Sequence, residues 1–484
     1  AADCGKNQRK IQSLIMNFFK FNNRTAVLQD DGTAISYKDL ADFSIQVGRL
    51  IGIRCLVFIL CRNVIGSLAS YVACLDNKIV PLLLDASLAD ELYSNLQDTY
   101  KPQYIFMPVE LAKASDHVIF EKNGYVATKT NFDEGYPLND DLALLLTTSG
   151  STGSPKLVRQ SFVNIKANAK AIVEYLGLND TERPITTLPM HYSYGLSIIN
   201  SHLLVGATIL LTNQTLMQKE FWNFFRNEAA TSFGGVPYTY EILDRLRFYR
   251  MDLPSLKTMT QAGGKLSLSL HKKFAEYAAE KCKRFFVMYG QTEATARMAY
   301  LPYEISLEKI GSMGRAIPGG EFTLIDTDGN GITEPDVIGE LVYRGSNVTL
   351  GYAECGEDLA KGDERRGVLF TGDIAKRDAD GFYSIVGRKK RFLKIFGNRV
   401  NLDETESMIK SAFPDLDCAC AGIDDHMYIF TTNEKKASEM RSYVAEKTQL
   451  NPSAFKTVVI DHIPKNAAGK KLYASLTKYY DGLQ

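Results

Sequence analysis

A loop rich in glycine and hydroxyl side chains is the strongest candidate for chemistry in this sequence. It runs from Thr147 to Lys156 and reads TTSGSTGSPK. Small residues let backbone N–H groups approach an anion closely, hydroxyls add donors, and a lysine adds positive charge. The spacing of glycines and lysine is not that of a Walker loop, and no Ser or Thr follows the lysine. The loop therefore predicts a phosphate cradle of another kind.

Six further short motifs follow this loop in a fixed order along the chain. They are Ala262-Gly263-Gly264, Tyr289-Gly290-Gln291-Thr292-Glu293, Gly339-Glu340-Leu341, Thr371-Gly372-Asp373, the pair Gly387-Arg388-Lys389-Lys390 and Lys394-Ile395-Phe396-Gly397, and Pro464-Lys465-Asn466-Ala467-Ala468-Gly469-Lys470. Each motif alone is moderate evidence. Together with the loop they span residues 147–470, and their common order is a specific signal.

In these motifs the sequence resembles the adenylate-forming superfamily. That superfamily includes acyl- and aryl-CoA synthetases, the adenylation domains of nonribosomal peptide synthetases, and firefly luciferase. The resemblance implies ATP-dependent activation of a carboxylic acid, acyl or aryl, to an acyl-adenylate with release of pyrophosphate. It further implies Mg²⁺ as a cofactor and transfer of the acyl group to a thiol, either CoA or the phosphopantetheine of an acyl or peptidyl carrier protein.

The resemblance assigns ATP to the loop and to the motifs that follow it. The flat ring of Tyr289 suits stacking on adenine, and Asp373 can accept hydrogen bonds from ribose hydroxyls. Arg388 would add a ribose or phosphate contact. The expected nucleotide-binding residues are Thr148, Ser149, Gly150, Ser151, Thr152, Gly153, Lys156, Gly263, Gly264, Tyr289, Gly290, Gln291, Asp373 and Arg388.

Three residues are expected to act in adenylate formation. Thr292 can donate to a phosphate, and Glu293 is a hard oxygen ligand suited to Mg²⁺ bridging ATP phosphates. The substrate carboxylate is already ionised at neutral pH and needs no general base. Lys470 is therefore expected to supply fixed positive charge to the phosphoryl oxygens in the transition state. Its replacement by alanine should abolish adenylate formation and preserve the fold.

The second step is expected to follow a rotation of a small C-terminal domain. The hinge of the superfamily matches Lys390 in this sequence. After the rotation, the loop that contains Lys394 and Gly397 would face the active site. A thiol would then attack the acyl-adenylate and displace AMP.

The segment Pro189–Ser197 resembles the acid-pocket loop of the superfamily. His191 and Tyr192 are expected to line or gate the pocket, and Val236 begins a Val-Pro pair similar to that of CoA ligases. Gly195 stands where amino-acid adenylation domains carry an aspartate that holds the substrate ammonium. Because an unpaired buried ammonium is costly, the sequence favours an acyl or aryl acid.

Besides a luciferase-like oxidase, which shares the adenylation step, two alternatives from the sequence remain open at this point. The first is amino-acid adenylation with carrier-protein loading, which Gly195 disfavours. The second is a non-catalytic module that binds a nucleotide or acyl-AMP, which intact Glu293, Asp373 and Lys470 disfavour. The acceptor thiol is undecided, since the C-terminal domain is short and residues 421–426 abbreviate a longer segment of the superfamily.

The elements that must position these residues indicate an α/β fold. Strands and helices alternate up to about residue 320, which predicts a large N-terminal domain with mixed and parallel sheets. Short strands with Gly, Asp and Asn turns then predict a small β-barrel-like part. The last segment predicts a small mobile C-terminal α+β domain. The expected domains are 1–387, which binds ATP and the acid, and 388–484, which caps them.

Composition excludes several other classes of function. Lys plus Arg and Asp plus Glu number 56 each, so no overall charge favours nucleic acid or an anionic membrane as a partner. No apolar run is long enough to span a bilayer. The eight cysteines are scattered without a C-x-x-C pair, and no signal peptide is visible. These features predict a cytoplasmic enzyme whose partner is a small carboxylic acid.

Overall fold

A computed structural model describes residues 21–132, 134–147, 156–389, 391–396, 398–423, 425–466, 469 and 471–481. The helices are α1 (Tyr37–Ile51), α2 (Ile65–Asp76), α3 (Asp90–Tyr100), α4 (Phe162–Leu176), α5 (Ser193–Leu204), α6 (Lys219–Asn227), α7 (Pro237–Arg245), α8 (Leu268–Glu280), α9 (Leu402–Ala412), α10 (Glu434–Thr448) and α11 (Lys478–Asp481). The apolar periodicity that predicts a helix ending at Gly177 corresponds to α4. Gly177 follows it in the left-handed conformation (φ 62°), which a residue without a side chain adopts most easily.

Most strands precede residue 320. They are β1 (Thr25–Gln29), β2 (Ala34–Ser36), β3 (Leu56–Cys61), β4 (Val80–Asp85), β5 (Tyr104–Pro108), β6 (His117–Lys122), β7 (Tyr125–Lys129), β8 (Leu142–Thr147), β9 (Leu157–Ser161), β10 (Ile209–Leu211), β11 (Ser232–Gly235), β12 (Thr258–Gln261), β13 (Arg284–Tyr289), β14 (Ala299–Tyr300) and β15 (Arg315–Ala316). The later strands are β16 (Gly320–Ile325), β17 (Gly331–Ile332), β18 (Ile338–Gly345), β19 (Gly351–Ala353), β20 (Val368–Arg377), β21 (Tyr383–Arg388), β22 (Phe392–Ile395), β23 (Asn398–Asn401), β24 (Cys418–Ile423), β25 (His426–Thr431) and β26 (Phe455–Val459).

The largest sheet has eight strands in the order β19-β9-β8-β4-β3-β5-β7-β6. Its centre, β8-β4-β3-β5, is parallel, and antiparallel strands flank it on both sides. The central strands are apolar throughout because they are covered on both faces. The carboxyl ends of β4 and β8 lie on one edge, at Asp85 and Thr147, and that edge is where ligands bind in such sheets.

A second sheet of the large domain has the order β11-β12-β13-β14-β15. Its first three strands are parallel, and β13 ends at Tyr289, at the edge where the predicted site lies. Helices α2 and α5 are buried along nearly their whole length. These two helices carry almost no charged residues, which is typical of helices enclosed in a core.

The predicted barrel-like part is an antiparallel sheet in the order β17-β16-β18-β20-β21. Its outer strand β21 forms a further bridge from Tyr383 to Gly314, directly before β15. This bridge connects the antiparallel sheet to the second sheet. The TGD motif lies within β20 and Arg388 ends β21, so both nucleotide-binding predictions fall on paired strands.

The C-terminal segment contains the two-stranded ribbon β22-β23 and the sheet β24-β25-β26, with α9 and α10 packed against the sheet. Cys418 and Cys420 point to one face of β24 and are buried in its apolar core, as packing residues. The predicted α/β fold, with a large N-terminal part and a small C-terminal part, is confirmed. The boundary at residues 387 and 388 stays a prediction. No helix in the described ranges has the length and apolar character needed to cross a bilayer.

Candidate active site

Asp373 is the centre of a buried hydrogen-bond cluster between the second sheet and the antiparallel sheet. The Tyr289 hydroxyl donates to Asp373 Oδ2 over 2.5 Å, and Gln291 Nε2 donates to the same oxygen over 2.8 Å. Gln291 Nε2 also donates to the carbonyl of Thr371 over 3.0 Å. Burial first, and then the neighbouring Asp373 carboxylate, hold the pKa of Tyr289 well above its usual range.

Arg388 faces Asp373 from the neighbouring strand. The two residues are direct cross-strand partners in the β20–β21 ladder, which places their side chains on the same face. The Arg388 Nε lies 3.4 Å from Asp373 Oδ1. Asp373 is almost fully buried and Arg388 is exposed, so the guanidinium extends from the carboxylate toward solvent.

Gly290 permits the chain to fold back directly after β13. A Cβ at this position would lie only 1.7 Å from the carbonyl oxygen of Ala296, a contact that no side chain can make. The segment between them forms a short 3₁₀ turn, Thr292–Ala294. The motif therefore needs glycine for close backbone packing, and this packing presents Thr292 and Glu293 at the edge of the sheet.

Thr292 connects the nucleotide side of the site to the acid-pocket segment. Its hydroxyl oxygen lies 3.0 Å from the hydroxyl oxygen of Ser193, the first residue of α5. This hydrogen bond joins the turn after β13 to the helix that follows His191 and Tyr192. The two parts of the predicted site thus meet at Thr292.

Glu293 is held by a tyrosine and an arginine that the sequence did not indicate. Its Oε1 accepts a hydrogen bond from the Tyr352 hydroxyl over 2.8 Å, and its backbone carbonyl accepts one from Arg365 over 3.1 Å. The amine of Lys156 lies 3.9 Å from the Tyr352 ring centroid and 3.1 Å from a carboxylate oxygen of Glu354. Lys156, at the end of the glycine-rich loop, and Glu293 therefore both contact Tyr352.

No cluster of three His, Cys, Asp or Glu side chains suited to a metal occurs within the described ranges. A complete protein cage for Mg²⁺ is therefore not found there. Mg²⁺ commonly binds one or two carboxylates together with substrate phosphates and water. The Glu293 carboxylate is a metal ligand of this type, and it suits a Mg²⁺ ion that binds together with ATP.

Three residues predicted for the nucleotide or the acid lie in direct contact. A Cβ at Gly263 would lie 2.7 Å from the Tyr192 hydroxyl oxygen and 3.0 Å from Val236 Cγ1. A Cβ at Gly264 would lie 3.0 Å from Cγ of Pro237. The glycine turn after β12 therefore packs closely against the wall of the predicted acid pocket.

His191 lies at the carboxyl edge of the largest sheet. Its Nε2 is 3.7 Å from Asp85 Oδ2 at the end of β4. Burial lowers the pKa of His191, and the Asp85 carboxylate acts against this effect as the smaller cause. Burial therefore favours a neutral imidazole at this edge.

Gly195 lies in the first turn of α5, where the backbone packs tightly. A Cβ there would lie 2.3 Å from the carbonyl oxygen of Pro189. An aspartate at this position would need the helix start to move. Tight packing therefore also disfavours an aspartate at this position. Residue 195 offers no carboxylate to a substrate ammonium group.

Several predicted residues lie outside the described ranges or have undescribed side chains. They are Thr148, Ser149, Gly150, Ser151, Thr152, Gly153, Lys390, Gly397 and Lys470, together with the side chain of Lys394. The described neighbours of Lys470 are Gly469 and Lys471. A Cβ at Gly469 would lie 2.9 Å from Cβ of Tyr238, in the first turn of α7. The C-terminal motif thus touches the large domain next to Val236.

The sequence profile of the AMP-binding enzyme family matches residues 17–353. The 2-succinylbenzoate–CoA ligase of Bacillus subtilis strain 168 is 28% identical over 347 residues, which cover 70% of this chain and 69% of that protein. The peroxisomal OPC-8:0-CoA ligase 1 of Arabidopsis thaliana is 30% identical over 355 residues, which cover 70% of this chain and 64% of that protein. A solved structure of the Bacillus subtilis O-succinylbenzoate coenzyme A synthetase with AMP has a TM-score of 0.77 at 23% identity, covering 96% of this chain and 98% of that one.

The fold and the site define an adenylate-forming enzyme. The chain belongs to the family of AMP-binding enzymes. The predictions of the superfamily and of an AMP-forming acid–thiol ligase are both confirmed. The enzyme uses ATP to activate a carboxylic acid as an acyl-adenylate and transfers the acyl group to a thiol.

Proposed function

We propose that this enzyme is an acid–CoA ligase that adenylates an acyl or aryl acid in the cleft between α5 and the end of β13. One observation carries the proposal: Gln291 is hydrogen-bonded to Asp373, and Thr292, the next residue in the chain, is hydrogen-bonded to Ser193 of α5. A nucleotide held by Asp373 and an acid held against α5 would meet at Thr292. This arrangement suits attack of a carboxylate on the α-phosphorus.

The nucleotide contacts follow from the chemistry of the cluster. The ribose hydroxyls would donate to Asp373, whose carboxylate Tyr289 and Gln291 already orient. The Tyr289 ring would lie against adenine, and Arg388 would contact the ribose or a phosphate. Glycines 263 and 264 would allow close approach of the base to the backbone.

Glu293 would hold Mg²⁺ together with the ATP phosphates. The metal, when bound, neutralises phosphate charge in the transition state. Tyr352 and Arg365 fix the Glu293 side chain and backbone, so this carboxylate is oriented before ATP arrives. Lys156 would add positive charge from the loop side of the same phosphates.

Lys470 would act from the C-terminal domain in the first step. The contact of Gly469 with Tyr238 supports an arrangement in which the Pro464–Lys470 motif closes over the acid pocket. In the second step, a rotation at Lys390 would withdraw Lys470 and bring the Lys394–Gly397 loop to the site. We place the domain boundary between residues 387 and 388 for this reason.

Two features distinguish CoA-dependent acid activation from amino-acid adenylation. The tight packing of Gly195 leaves no carboxylate for a substrate ammonium. The named relatives reported above are ligases of CoA. We therefore assign CoA as the acceptor, with a carrier-protein phosphopantetheine as the competing acceptor. A cytoplasmic location stays a prediction from the sequence.

Two half-reactions test the proposal. ATP–pyrophosphate exchange across a panel of acyl, aryl and amino acids should be supported by carboxylic acids without an α-amino group. Thioester formation should then occur with CoA and not with a phosphopantetheinylated carrier protein. Exchange with amino acids alone would contradict the proposed acid class. Thioester formation with the carrier protein alone would contradict the proposed acceptor.

A further inference from the structure

Arg297 is a buried guanidinium without a carboxylate partner in the described part of the chain. It is 2% exposed and follows the turn that presents Thr292 and Glu293. Its Nε donates to the Ser197 hydroxyl over 3.0 Å, and its Nη1 donates to the Tyr175 hydroxyl over 3.0 Å. All of its described partners are neutral.

The other buried arginines of the described chain are paired with acids. Arg159 lies 2.5 Å from Glu364, and Arg391 lies 2.7 Å from Glu406. A buried charge without an opposite charge is expensive, and removal of one partner from a buried ion pair is strongly destabilising. Arg297 therefore departs from the pattern of this protein, and the departure calls for a ligand that supplies the missing charge.

The position of Arg297 identifies where that ligand would be. Its guanidinium lies 5.0 Å from the ring centroid of Tyr194, in the first turn of α5. Its partner Ser197 lies one helical turn beyond Ser193, which contacts Thr292. Tyr194 packs in the same apolar cluster as Val236 and Tyr192. Arg297 thus lies along the same helix as the reacting end of the acid pocket, one turn deeper.

We propose that Arg297 binds a second anionic group of the substrate, so that the acid is a dicarboxylic acid. This inference rests on the proposed function, because it uses the same acid pocket. A guanidinium binds a carboxylate through two parallel hydrogen bonds, which gives both strength and geometry. The hydroxyls of Ser197 and Tyr175 accept hydrogen bonds from this guanidinium and donate to the Tyr194 carbonyl and to Met288 Sδ, so they orient the guanidinium.

The helix sets the spacing of the two anionic groups. Ser193 and Ser197 are four residues apart, which corresponds to about 6 Å along an α-helix. The second carboxylate should therefore lie about one helical turn, roughly 6 Å, from the carboxylate that is adenylated. An aromatic ring or a short carbon chain spans this gap, whereas succinate is too short.

The test compares acids that differ only in the second carboxylate. ATP–pyrophosphate exchange is measured with terephthalate against benzoate, and with adipate against hexanoate and succinate. We expect kcat/KM to be about 10- to 100-fold higher for the longer dicarboxylates, the usual effect of a hydrogen bond to a charged group. Arg297→Met should remove this preference, so that kcat/KM for terephthalate and adipate falls to the level of benzoate and hexanoate in the same variant. Arg297→Lys should restore part of the preference.

The matched control is Arg183→Met. Arg183 pairs with Glu228 away from the pocket, so its loss should leave the preference unchanged. Arg297→Met could instead reduce exchange equally with the mono- and the dicarboxylic acids, while ATP still raises the midpoint of thermal unfolding. That result would show that Arg297 has a structural role and would overturn the inference. Use of single-carboxylate acids alone by the unmodified enzyme would also overturn it, with the proposed function intact. Absence of exchange with any acid would instead contradict the proposed function.

Discussion

At the scale of single residues, the proposed nucleotide site depends on how Asp373 is held. A carboxylate that is 3% exposed and accepts two side-chain hydrogen bonds has little freedom to move. These two hydrogen bonds and the nearby Arg388 guanidinium fix the orientation of the carboxylate oxygens. The same environment makes Asp373 sensitive to substitution, because Tyr289 and Gln291 both donate hydrogen bonds to its carboxylate.

Asp373→Asn should weaken ATP binding. The amide keeps the size of the side chain but replaces an anionic acceptor for Tyr289, Gln291 and the ribose. Loss of hydrogen bonds to a charged group costs about 1.5–3 kcal/mol, so KM for ATP should rise roughly 10- to 100-fold. Pyrophosphate-exchange kinetics at varied ATP measure this. Asp380→Asn, at an exposed turn after β20, should leave KM for ATP unchanged. An unchanged KM in the Asp373 variant would remove Asp373 from the nucleotide site.

Two buried histidines should make folding stability depend on pH. Burial lowers the pKa of His271 to about 4, and burial is also the main cause that lowers the pKa of His202 to about 4. Both values lie below the ordinary value of 6.5, so the unfolded chain binds protons first as pH falls. The contribution of these two neutral histidines to the free energy of unfolding is therefore fully present above pH 6.5 and is lost progressively as the pH falls toward 4.

His271→Gln should reduce that loss. His271 accepts from the backbone N–H of Gly311 over 3.1 Å, and its Nε2 lies 3.0 Å from the Ser306 hydroxyl, so glutamine can replace part of its bonding. The free energy of unfolding should fall between pH 7 and pH 5 by about 2 kcal/mol less than in the unmodified protein. Urea titrations at both pH values measure this. His117→Gln, on exposed β6, is the control, and equal slopes for all three proteins would refute the prediction.

At the scale of elements, α9 organises the C-terminal domain through Glu406. Its Oε1 accepts from Arg391 over 2.7 Å, and its Oε2 accepts from Lys471 over 2.6 Å and from the Tyr473 hydroxyl over 3.0 Å. The backbone N–H of Cys420 donates the fourth hydrogen bond to this carboxylate, also to Oε1, over 2.7 Å. Arg391 directly follows the expected hinge residue, and Lys471 directly follows Lys470. One carboxylate thus connects both functional segments of the domain.

Glu406→Ala should destabilise the C-terminal domain and reduce adenylate formation together. Removing this carboxylate leaves Lys471 without the acid partner that the structure describes and leaves Arg391 with Asp403 alone, so the cost should approach that of a broken buried pair, about 3–5 kcal/mol. Chemical unfolding should detect the loss, and pyrophosphate exchange should fall while ATP binding to the large domain persists. Glu439→Ala removes an exposed ion pair with Lys436 and should cost less than about 1 kcal/mol. Equal effects of the two substitutions would argue against a connecting role for Glu406.

At the scale of the whole molecule, the C-terminal domain contacts the large domain beside the proposed acid pocket. Gly469 lies against Tyr238, and the amine of Lys465 lies 5.4 Å from the centroid of the Tyr238 ring. Burial lowers the pKa of Lys265, while Glu404 and Asp403 from α9 oppose this effect. The contact thus places Gly469, which directly precedes Lys470 in the chain, next to the residues proposed to bind the acid.

A disulfide between the two domains should separate the two half-reactions. Tyr238→Cys combined with Gly469→Cys places two thiols where a Cβ at Gly469 lies 2.9 Å from Cβ of Tyr238. The two Cβ atoms must move apart to reach the usual disulfide spacing, and a cysteine at Gly469 must adopt a φ of 73°, which costs some stability. The oxidised protein should retain pyrophosphate exchange and lose CoA thioester formation by at least about 100-fold, since the domain cannot rotate. Dithiothreitol should restore the second step, and each single-cysteine variant should be insensitive to oxidation. Normal thioester formation by the cross-linked protein would exclude rotation.

Much of the site was predictable because its chemistry lies in short, ordered motifs. Tyr289, Gln291 and Asp373 lie in contact with one another, while their nucleotide-binding roles stay predictions, and α4 ends at Gly177 as its apolar spacing predicts. Tyr352 and Arg365 were missed, because their roles depend on contacts with Glu293 across the fold. Arg297 carried a signal that was available, a cation in the segment directly after the YGQTE motif. Its burial without an acid could not be read from the sequence.

The sequence by itself determined the class of reaction, since glycines at close approaches and a fixed order of donors and acceptors are local requirements of nucleotide chemistry. It also determined the alternation of strands and helices, which depends on hydrophobic periodicity. The tertiary structure alone decided which charges are paired. Arg159 and Arg391 find carboxylates, whereas Arg297 finds only neutral partners among the described residues. Whether a buried arginine forms an ion pair depends on distances between residues that are far apart in the chain. The shape of the proposed acid pocket depends on such distances as well.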